Sequence, residues 1–338
     1  MESSPKQVKV TVSLVTWNSV NDLPGFFESL ASQTYKDYQV WVIDNCSSDG
    51  TIEKIKNSYP EIRFIENDKN IGYAAGHNLA ISKSRSDYVL VANADLRLEP
   101  GFLEELVRII DSDSHIGSVG GKLLKMQDPL KIGAEAAIID TCGIGAYKSR
   151  RFVDRGEGEE DKGQYDNIEE VFGVSGALVL YRRSALDDVK IPPGQYFDEE
   201  YFMYREDIDL AWRLRQRSWK SFYSPRALAW HRRSTTRQGS DWQILKNRRK
   251  KSPLIKSLSY RNHCYTLIKN LPWPDMFWWF PWIFWYELRK FVYLVLFEPR
   301  TLLMDFQIVS HLPIMLNRRR LIQKRRTTSL KELRSWFK

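Results

Sequence analysis

Residues 198–209 carry six carboxylates, those of Asp198, Glu199, Glu200, Glu206, Asp207 and Asp209. Carboxylates crowded in this way repel one another and cost desolvation unless water, a metal ion or a substrate proton absorbs the charge. A helix N-terminus favours anions, so capping accounts for one of these acids but not for the run. Asp207 is a candidate general base for a hydroxyl, and Glu206 either orients that hydroxyl or takes the proton itself. Asp209 points to another part of the helix and is expected to pair with Arg213.

A separate acid follows the hydrophobic strand Asp87–Ala92, where the chain reads Asn93-Ala94-Asp95. Open α/β sheets place ligand chemistry at the carboxyl ends of their strands. A hard divalent cation takes oxygen ligands, and one carboxylate beside an amide would hold it loosely until phosphate oxygens complete the shell. The plainer alternative is a solvated strand-end turn. Asp44-Asn45 also ends a buried strand; its carboxylate either accepts from a base or ribose or caps the next helix with Ser47. Asn70 to Asn78 reads as a small-residue loop feeding a helix, with Gly72 and Gly76 allowing close backbone approach. His231 follows the apolar strand Ala227–Trp230, and metal, phosphate and structural roles all stay open for it.

The elements that must position these residues follow from periodicity. Val8–Val15, Tyr38–Ile43, Ile62–Glu66, Asp87–Ala92, Ile116–Leu123 and Val171–Tyr181 read as strands. Asp22–Ser32, Thr51–Tyr59, Asn78–Ser84, Pro100–Ile110 and Tyr204–Gln216 read as helices. Strands alternating with helices predict a mainly parallel sheet with right-handed crossovers, an α/β fold. Residues 125–170 lose the rhythm and are expected to form a surface loop or lid over the site.

Charge divides the 338 residues unevenly: residues 1–210 hold 23 Lys and Arg against 36 Asp and Glu, and residues 211–338 hold 28 against 6. An acidic catalytic half joined to a basic half that meets something anionic is the simplest reading. Trp273 to Phe297 holds 12 aromatics in 25 residues, five of them Trp. Glu287, Arg289 and Lys290 interrupt it and Pro281 breaks its start, which argues against a spanning helix. Trp-rich segments flanked by Lys246–Lys251 and by Arg318–Arg320 with Lys324–Arg326 suit an anionic membrane surface. A helical subdomain that buries its aromatics at home or in a homodimer is the alternative. Cys46, Cys142 and Cys264 form neither a disulfide framework nor a metal motif, and the N-terminus has no apolar leader, so a cytoplasmic setting is expected.

Taken in order, these motifs resemble the family 2 glycosyltransferases with a GT-A fold, in particular the rhamnosyltransferase-like branch. The resemblance rests on Val15-Thr16-Trp17-Asn18, Val42 to Gly50, Asn70 to Asn78, Asn93-Ala94-Asp95, Ser175-Gly176-Ala177, Phe197-Asp198-Glu199, Tyr204 to Leu210 and His231. It spans residues 8–235 and implies a Rossmann-like mixed, mainly parallel sheet flanked by helices. Residues 1–238 would be the catalytic domain, and residues 239–338 a helical, aromatic-rich basic extension that associates with membranes.

The resemblance also implies inverting transfer of a sugar from a nucleotide diphosphate to a hydroxyl of a glycan or lipid-linked acceptor in cell-surface polysaccharide assembly. The branch favours thymidine-diphosphate-rhamnose as donor and leaves uridine-diphosphate sugars open. Thr16, Trp17, Asn18, Asp44, Asn70, Gly72, Asn78, Asn93, Ala94 and Asp95 would bind the nucleotide sugar. Asp95 and His231 would hold Mg²⁺ or Mn²⁺ on the diphosphate, Asp207 would be the base, and the enzyme would sit on the inner face of the cytoplasmic membrane. Trp17 stands where Tyr is usual, Asn93 replaces the first acid of an Asp-x-Asp pattern, and Ser218-Trp219 stands where a Gly-aromatic pair is common. A basic nucleic-acid-binding protein is the rival from another class; against it, Lys and Arg flank the Trp cluster rather than interleave with it.

Overall fold

Alternating β-branched residues build the first strands, and the small residues that follow let helices close on them. In order the elements are β1 (Val10–Thr16), α1 (Leu23–Ala31), β2 (Tyr38–Asp44), α2 (Thr51–Ser58), β3 (Arg63–Glu66) and α3 (Gly72–Lys83). Then come β4 (Tyr88–Ala92), β5 (Leu96–Leu98), α4 (Phe102–Ser112), β6 (Ile116–Lys125), β7 (Ile139–Thr141), β8 (Ile144–Ala146) and β9 (Phe152–Asp154). The catalytic half closes with β10 (Glu169–Glu170), β11 (Leu178–Arg182), α5 (Arg183–Asp188), α6 (Glu206–Gln216) and β12 (Lys220–His231). The computed structural model describes residues 8–126, 137–232, 252–304 and 306–338. The basic run Lys246–Lys251 and the expected 238/239 boundary lie outside the described residues.

Ten strands form one mixed sheet, ordered β10-β12-β6-β11-β4-β1-β2-β3, with β5 on β12 and β7 on β6. β1 runs parallel to β2 and β4, β2 to β3, and β6 to β12. β11 lies antiparallel between β4 and β6. The two-residue period of β4 serves both faces. Leu90 and Ala92 join a cluster with Phe26, Leu106 and Ile110, while Val89 and Val91 join another with Ala74, Ile81, Leu210 and Leu214.

Three departures from the periodicity shape the region around α6. α3 begins at Gly72, not Asn78, because Gly72 takes φ +87° and the small residues after it press the helix onto β1. A Cβ at Gly76 would lie 2.8 Å from Val15. The strand expected from Val171 shortens to Leu178–Arg182, since Gly173 and Gly176 bring their backbone against Ala211 and Asp207 of α6. Residues 137–170 are more than a loop: β8 and β9 form a hairpin, and Phe152 packs among Phe172, Trp212 and Phe337.

The C-terminal region is helical: α7 (Pro253–Asn270), α8 (Trp273–Trp278), α9 (Phe280–Phe297), α10 (Pro299–Met304), α11 (Gln307–Ser310), α12 (Leu312–Arg325) and α13 (Leu330–Ser335). α7 and α12 meet α6 and the segment before it through buried charge. Lys269 pairs with Asp198 and with Asp209 at 2.8 Å, and Arg318 reaches Asp198 at 2.6 Å. Arg319 donates to the Ile268 carbonyl at 2.6 Å and lies over the Trp273 ring. Two cations expected to flank a membrane segment are therefore consumed inside the molecule. Arg320, Lys324 and Arg325 stay exposed.

The aromatic stretch is also divided. Trp279 contacts Trp282 edge-on, yet Trp278, Trp282, Trp285, Phe291, Leu296 and Phe297 are exposed. No described helix is long and apolar enough to cross a membrane.

Candidate active site

Parallel strands end at the same level, so β1, β2 and β4 deliver Thr16, Asp44 and the Asn93–Asp95 turn along one edge. The opposite wall comes from the turn before α6. Phe202, Tyr204 and Arg205 all adopt positive φ, 61°, 71° and 68°. Such backbone persists only where surroundings over-determine it. Here the fully buried Asn262 of α7 does so: its amide nitrogen lies 2.8, 2.8 and 2.9 Å from the carbonyls of Tyr201, Met203 and Tyr204. The forced turn aims Glu206 and Asp207, at the first positions of α6, into a cavity of about 390 Å³.

Asp95, Asn93, His231, Glu206 and Asp207 line that one cavity. Acids more than a hundred residues apart in sequence thus converge. Asp207 is half-buried and held at both oxygens: Gly176 N–H donates to Oδ2 at 2.9 Å and Ile208 N–H to Oδ1 at 2.8 Å. Burial lifts its carboxyl above the usual range against the pull of the Gly176 N–H. Glu206 differs. It is buried, its Oε2 has no hydrogen-bond partner, and burial followed by the Asp207 charge pushes it up to about 8.

Across the cavity, His231 Nδ1 lies 2.8 Å from Asp140 Oδ2 and Nε2 lies 3.2 Å from Asp95 Oδ1. Burial opposes a charged imidazole, but the two carboxylates outweigh it and raise His231 to about 9. Burial also works against ionised Asp95, and the His231 contact prevails to hold its carboxyl below the usual range. Among the described residues no three His, Cys, Asp or Glu side chains are arranged to hold a metal. Asp95 and His231 suit a divalent ion whose remaining ligands come with a diphosphate, and Asp140 fixes which ring nitrogen faces it.

The other expected site residues sit apart from this cavity. Asp44 is fully buried and accepts from Thr16 Oγ1 at 2.7 Å, Ser47 N–H at 2.8 Å and Ser47 Oγ at 2.6 Å. Its carboxylate organises the β2 turn. Asn18, with φ 52°, accepts from Ser48 N–H at 2.9 Å, and Trp17 is 54% exposed beside it. Asn70 accepts from Gly72 N–H at 2.9 Å, and a Cβ on Gly72 would meet the Phe202 ring at 2.5 Å. Asn78 spends its amide on the backbone of Tyr196 and Phe197 and on Glu199, latching α3 to the strained segment. Ala94 is a core residue. These small and amide groups hold the loops around the cavity.

Tyr73 and Arg205 lie within the sequence motifs without being named there as site residues, and Asp154 lies in none of them. Tyr73 donates to the Gly176 carbonyl at 2.6 Å, Asp154 comes from β9, and Arg205 donates to the Ser259 carbonyl at 3.0 Å. Asp140 lies in the segment without periodicity, and only its place beside His231 gives it meaning.

Comparison with known proteins places the fold in a family. The mycobacterial N-acetylglucosaminyl-diphospho-decaprenol L-rhamnosyltransferase of Mycobacterium tuberculosis is 28% identical over 245 residues, 66% of this chain and 76% of that protein. The poly-beta-1,6-N-acetyl-D-glucosamine synthase of Staphylococcus aureus is 25% identical over 224 residues, 65% of this chain; the alignment spans 49% of that longer relative. GalNAc-T7 with UDP, GalNAc and Mn²⁺ superposes with TM-score 0.56 at 13% identity, covering 79% of this chain and 48% of that one. The mannosyltransferase PcManGT of Pyrobaculum calidifontis, in complex with GDP-Man and Mn²⁺, gives TM-score 0.50 at 14% identity, covering 93% and 88%. The sequence profile described as Glycosyl transferase family 2 matches residues 11–190, from β1 past Asp95 to the end of α5. With that profile over more than half of its length and a GT-A sheet beneath it, the chain belongs to glycosyl transferase family 2.

Proposed function

We propose that this enzyme transfers a sugar, with inversion, from a nucleotide-diphosphate donor to a hydroxyl of a glycan or lipid-linked acceptor. The observation that carries the reading is the shared cavity: Asp95 with His231 on one wall, Asp207 on the other. Asp207 takes the proton of the attacking hydroxyl, its position set by the Gly176 and Ile208 N–H groups. Asp95 and His231 would hold Mg²⁺ or Mn²⁺, which when bound neutralises charge on the departing diphosphate. Loops carrying Thr16, Trp17, Asn18, Asp44, Asn70, Gly72 and Asn78 frame the nucleotide side, with Trp17 the exposed ring available for base stacking. One displacement needs no carboxylate nucleophile, consistent with inversion.

Rhamnose from thymidine-diphosphate-rhamnose is the favoured donor, because a rhamnosyltransferase is among the relatives. The exposed aromatics of α9 with exposed Arg320, Lys324 and Arg325 support peripheral attachment to an anionic cytoplasmic membrane face, where a lipid-linked acceptor resides.

Asp207→Asn tests the reading. Transfer is expected to fall about 10²–10⁴-fold, while donor binding with Mg²⁺ or Mn²⁺ persists and is weakened by chelator. Turnover near that of the wild type would remove Asp207 as base.

A further inference from the structure

Glu206 and Asp207 are consecutive, yet their surroundings are opposite. Asp207 has an N–H donor on each oxygen, which suits an anion. Glu206 is 6% exposed, lines the cavity, and has an oxygen with no hydrogen-bond partner. Among the described residues no Lys, Arg or His forms an ion pair with it.

Most charged and titratable groups around Glu206 are acids or phenols; Arg205 and His231 line the same cavity but form no ion pair with it. Asp207 and Asp209 come from its own helix, Tyr73 from α3 and Tyr181 from β11. The Tyr73 hydroxyl is already donated to Gly176. Asp209 is committed to Arg213 at 2.9 Å, Lys269 and Asn270. The Glu206 backbone N–H favours the anion, but burial, the Asp207 charge and the orphaned Oε2 outweigh it, and the carboxyl keeps its proton. A neutral carboxyl offers one donor and one acceptor, the complement of a sugar hydroxyl; a carboxylate can only accept.

We propose that Glu206 acts as a neutral carboxylic acid that binds a second hydroxyl of the acceptor sugar, beside the hydroxyl whose proton goes to Asp207. This makes it a positioning residue that selects which hydroxyl attacks, and not a base. The proposal rests on the glycosyl-transfer reading above. Raising the pH through about 8 removes the proton, so the donor is lost and activity falls on the alkaline side. Asp207 titration shapes the acid side.

Two measurements test it. Difference infrared spectra of wild type against Glu206→Gln, taken at about pH 6 and without substrate, are expected to show the carbonyl stretch of a protonated carboxyl. Its absence overturns the proposal, whatever the enzyme's substrates prove to be. Kinetics with thymidine-diphosphate-rhamnose and a synthetic N-acetylglucosaminyl diphosphate polyprenol supply the second arm.

Glu206→Gln, which keeps a donor and an acceptor, should hold acceptor kcat/KM within about tenfold and lose the alkaline limb. Glu206→Leu should lose about 10²-fold in acceptor kcat/KM with donor KM little changed. If Glu206→Gln instead falls as far as Asp207→Asn, Glu206 is the base and the proposal fails. A wild type inactive with these probes tells against the assigned substrates, while the infrared arm still decides the proton on Glu206.

Discussion

Four of the six acids between Asp198 and Asp209 fall into two pairs with opposite surroundings, and the contrast separates scaffold from proposed chemistry. Asp198 and Asp209, fully buried, meet Lys269, Arg318, Arg213 and Asn270. Burial works against ionised Asp209, but Lys269 and Arg213 overcome it and hold the group at about 2. Glu206 and Asp207, a few ångströms along the same helix, have no cation of this kind and are both pushed upward. Paired acids bind the C-terminal helices to the catalytic half. Unpaired acids wait for a substrate. Proximity in sequence is therefore a poor guide to role here; what matters is which side of α6 each carboxylate leaves from.

The sharpest way to break this contrast is Lys269→Met. It removes the cation shared by Asp198 and Asp209 and leaves buried charge under-compensated, an expected loss of about 3–5 kcal/mol in denaturant titration. Asp207→Asn should cost no more than about 1 kcal/mol, since it removes an uncompensated buried charge and loses at most one of the Gly176 and Ile208 N–H bonds. If both substitutions destabilise equally, the division into scaffold and chemistry is wrong.

A smaller effect is expected at the hinge between the two groups. Asn262→Ala removes the amide that clamps the positive-φ turn, with an expected cost of about 1–3 kcal/mol. The turn then relaxes and misplaces Asp207, so kcat should fall by at least about tenfold while donor affinity holds. Stability lost without any change in kcat per folded molecule would make Asn262 a packing residue only.

The sheet was legible because its strands repeat every two residues and its acids stand at strand ends. Position marks Asp95, Asp207 and His231 as candidates, and their roles come from the family resemblance; the structure brings the three to one cavity. Asp209 is legible as the partner of Arg213 at helical spacing, and the structure pairs them, but Asp198 is not sorted from its neighbours, because Lys269 and Arg318 lie sixty or more residues away on helices whose faces no local pattern reveals. The same distance hid Asp140 and Asn262. Asn70, Gly72 and Asn78 meet backbone, Glu199 and Phe202 in the fold, and their types suit ligand contact as well; small and amide side chains satisfy both needs. The basic tail was misjudged at Arg318 and Arg319 for a related reason: charge in a sequence carries no sign of whether its counter-charge is water, lipid or a buried aspartate.

The tail itself extends the comparison to apolar groups, and here the expected effect on stability is smallest. Deleting the whole region would be uninformative, since Leu333 and Phe337 are buried with Phe152, Phe172 and Trp212. Exposed side chains can be changed without touching that cluster. Trp285 is 64% exposed and Leu296 65% exposed on α9. Trp285→Glu with Leu296→Glu should shift stability by no more than about 0.5–1 kcal/mol, as surface substitutions do. The same pair puts charge on the face expected to enter the headgroup region, so flotation with vesicles of anionic phospholipid should fall sharply. A self-associating face would respond differently. Flotation would be unchanged from a low starting level, and sedimentation would show a dimer becoming a monomer. Because α7 carries Ser259 at the cavity wall and packs its His263 against Glu287 of α9 at 2.6 Å, a membrane-bound α9 would set the cavity beside the lipid surface. Loss of flotation should then raise KM for a lipid-linked acceptor and leave KM for a water-soluble one unchanged.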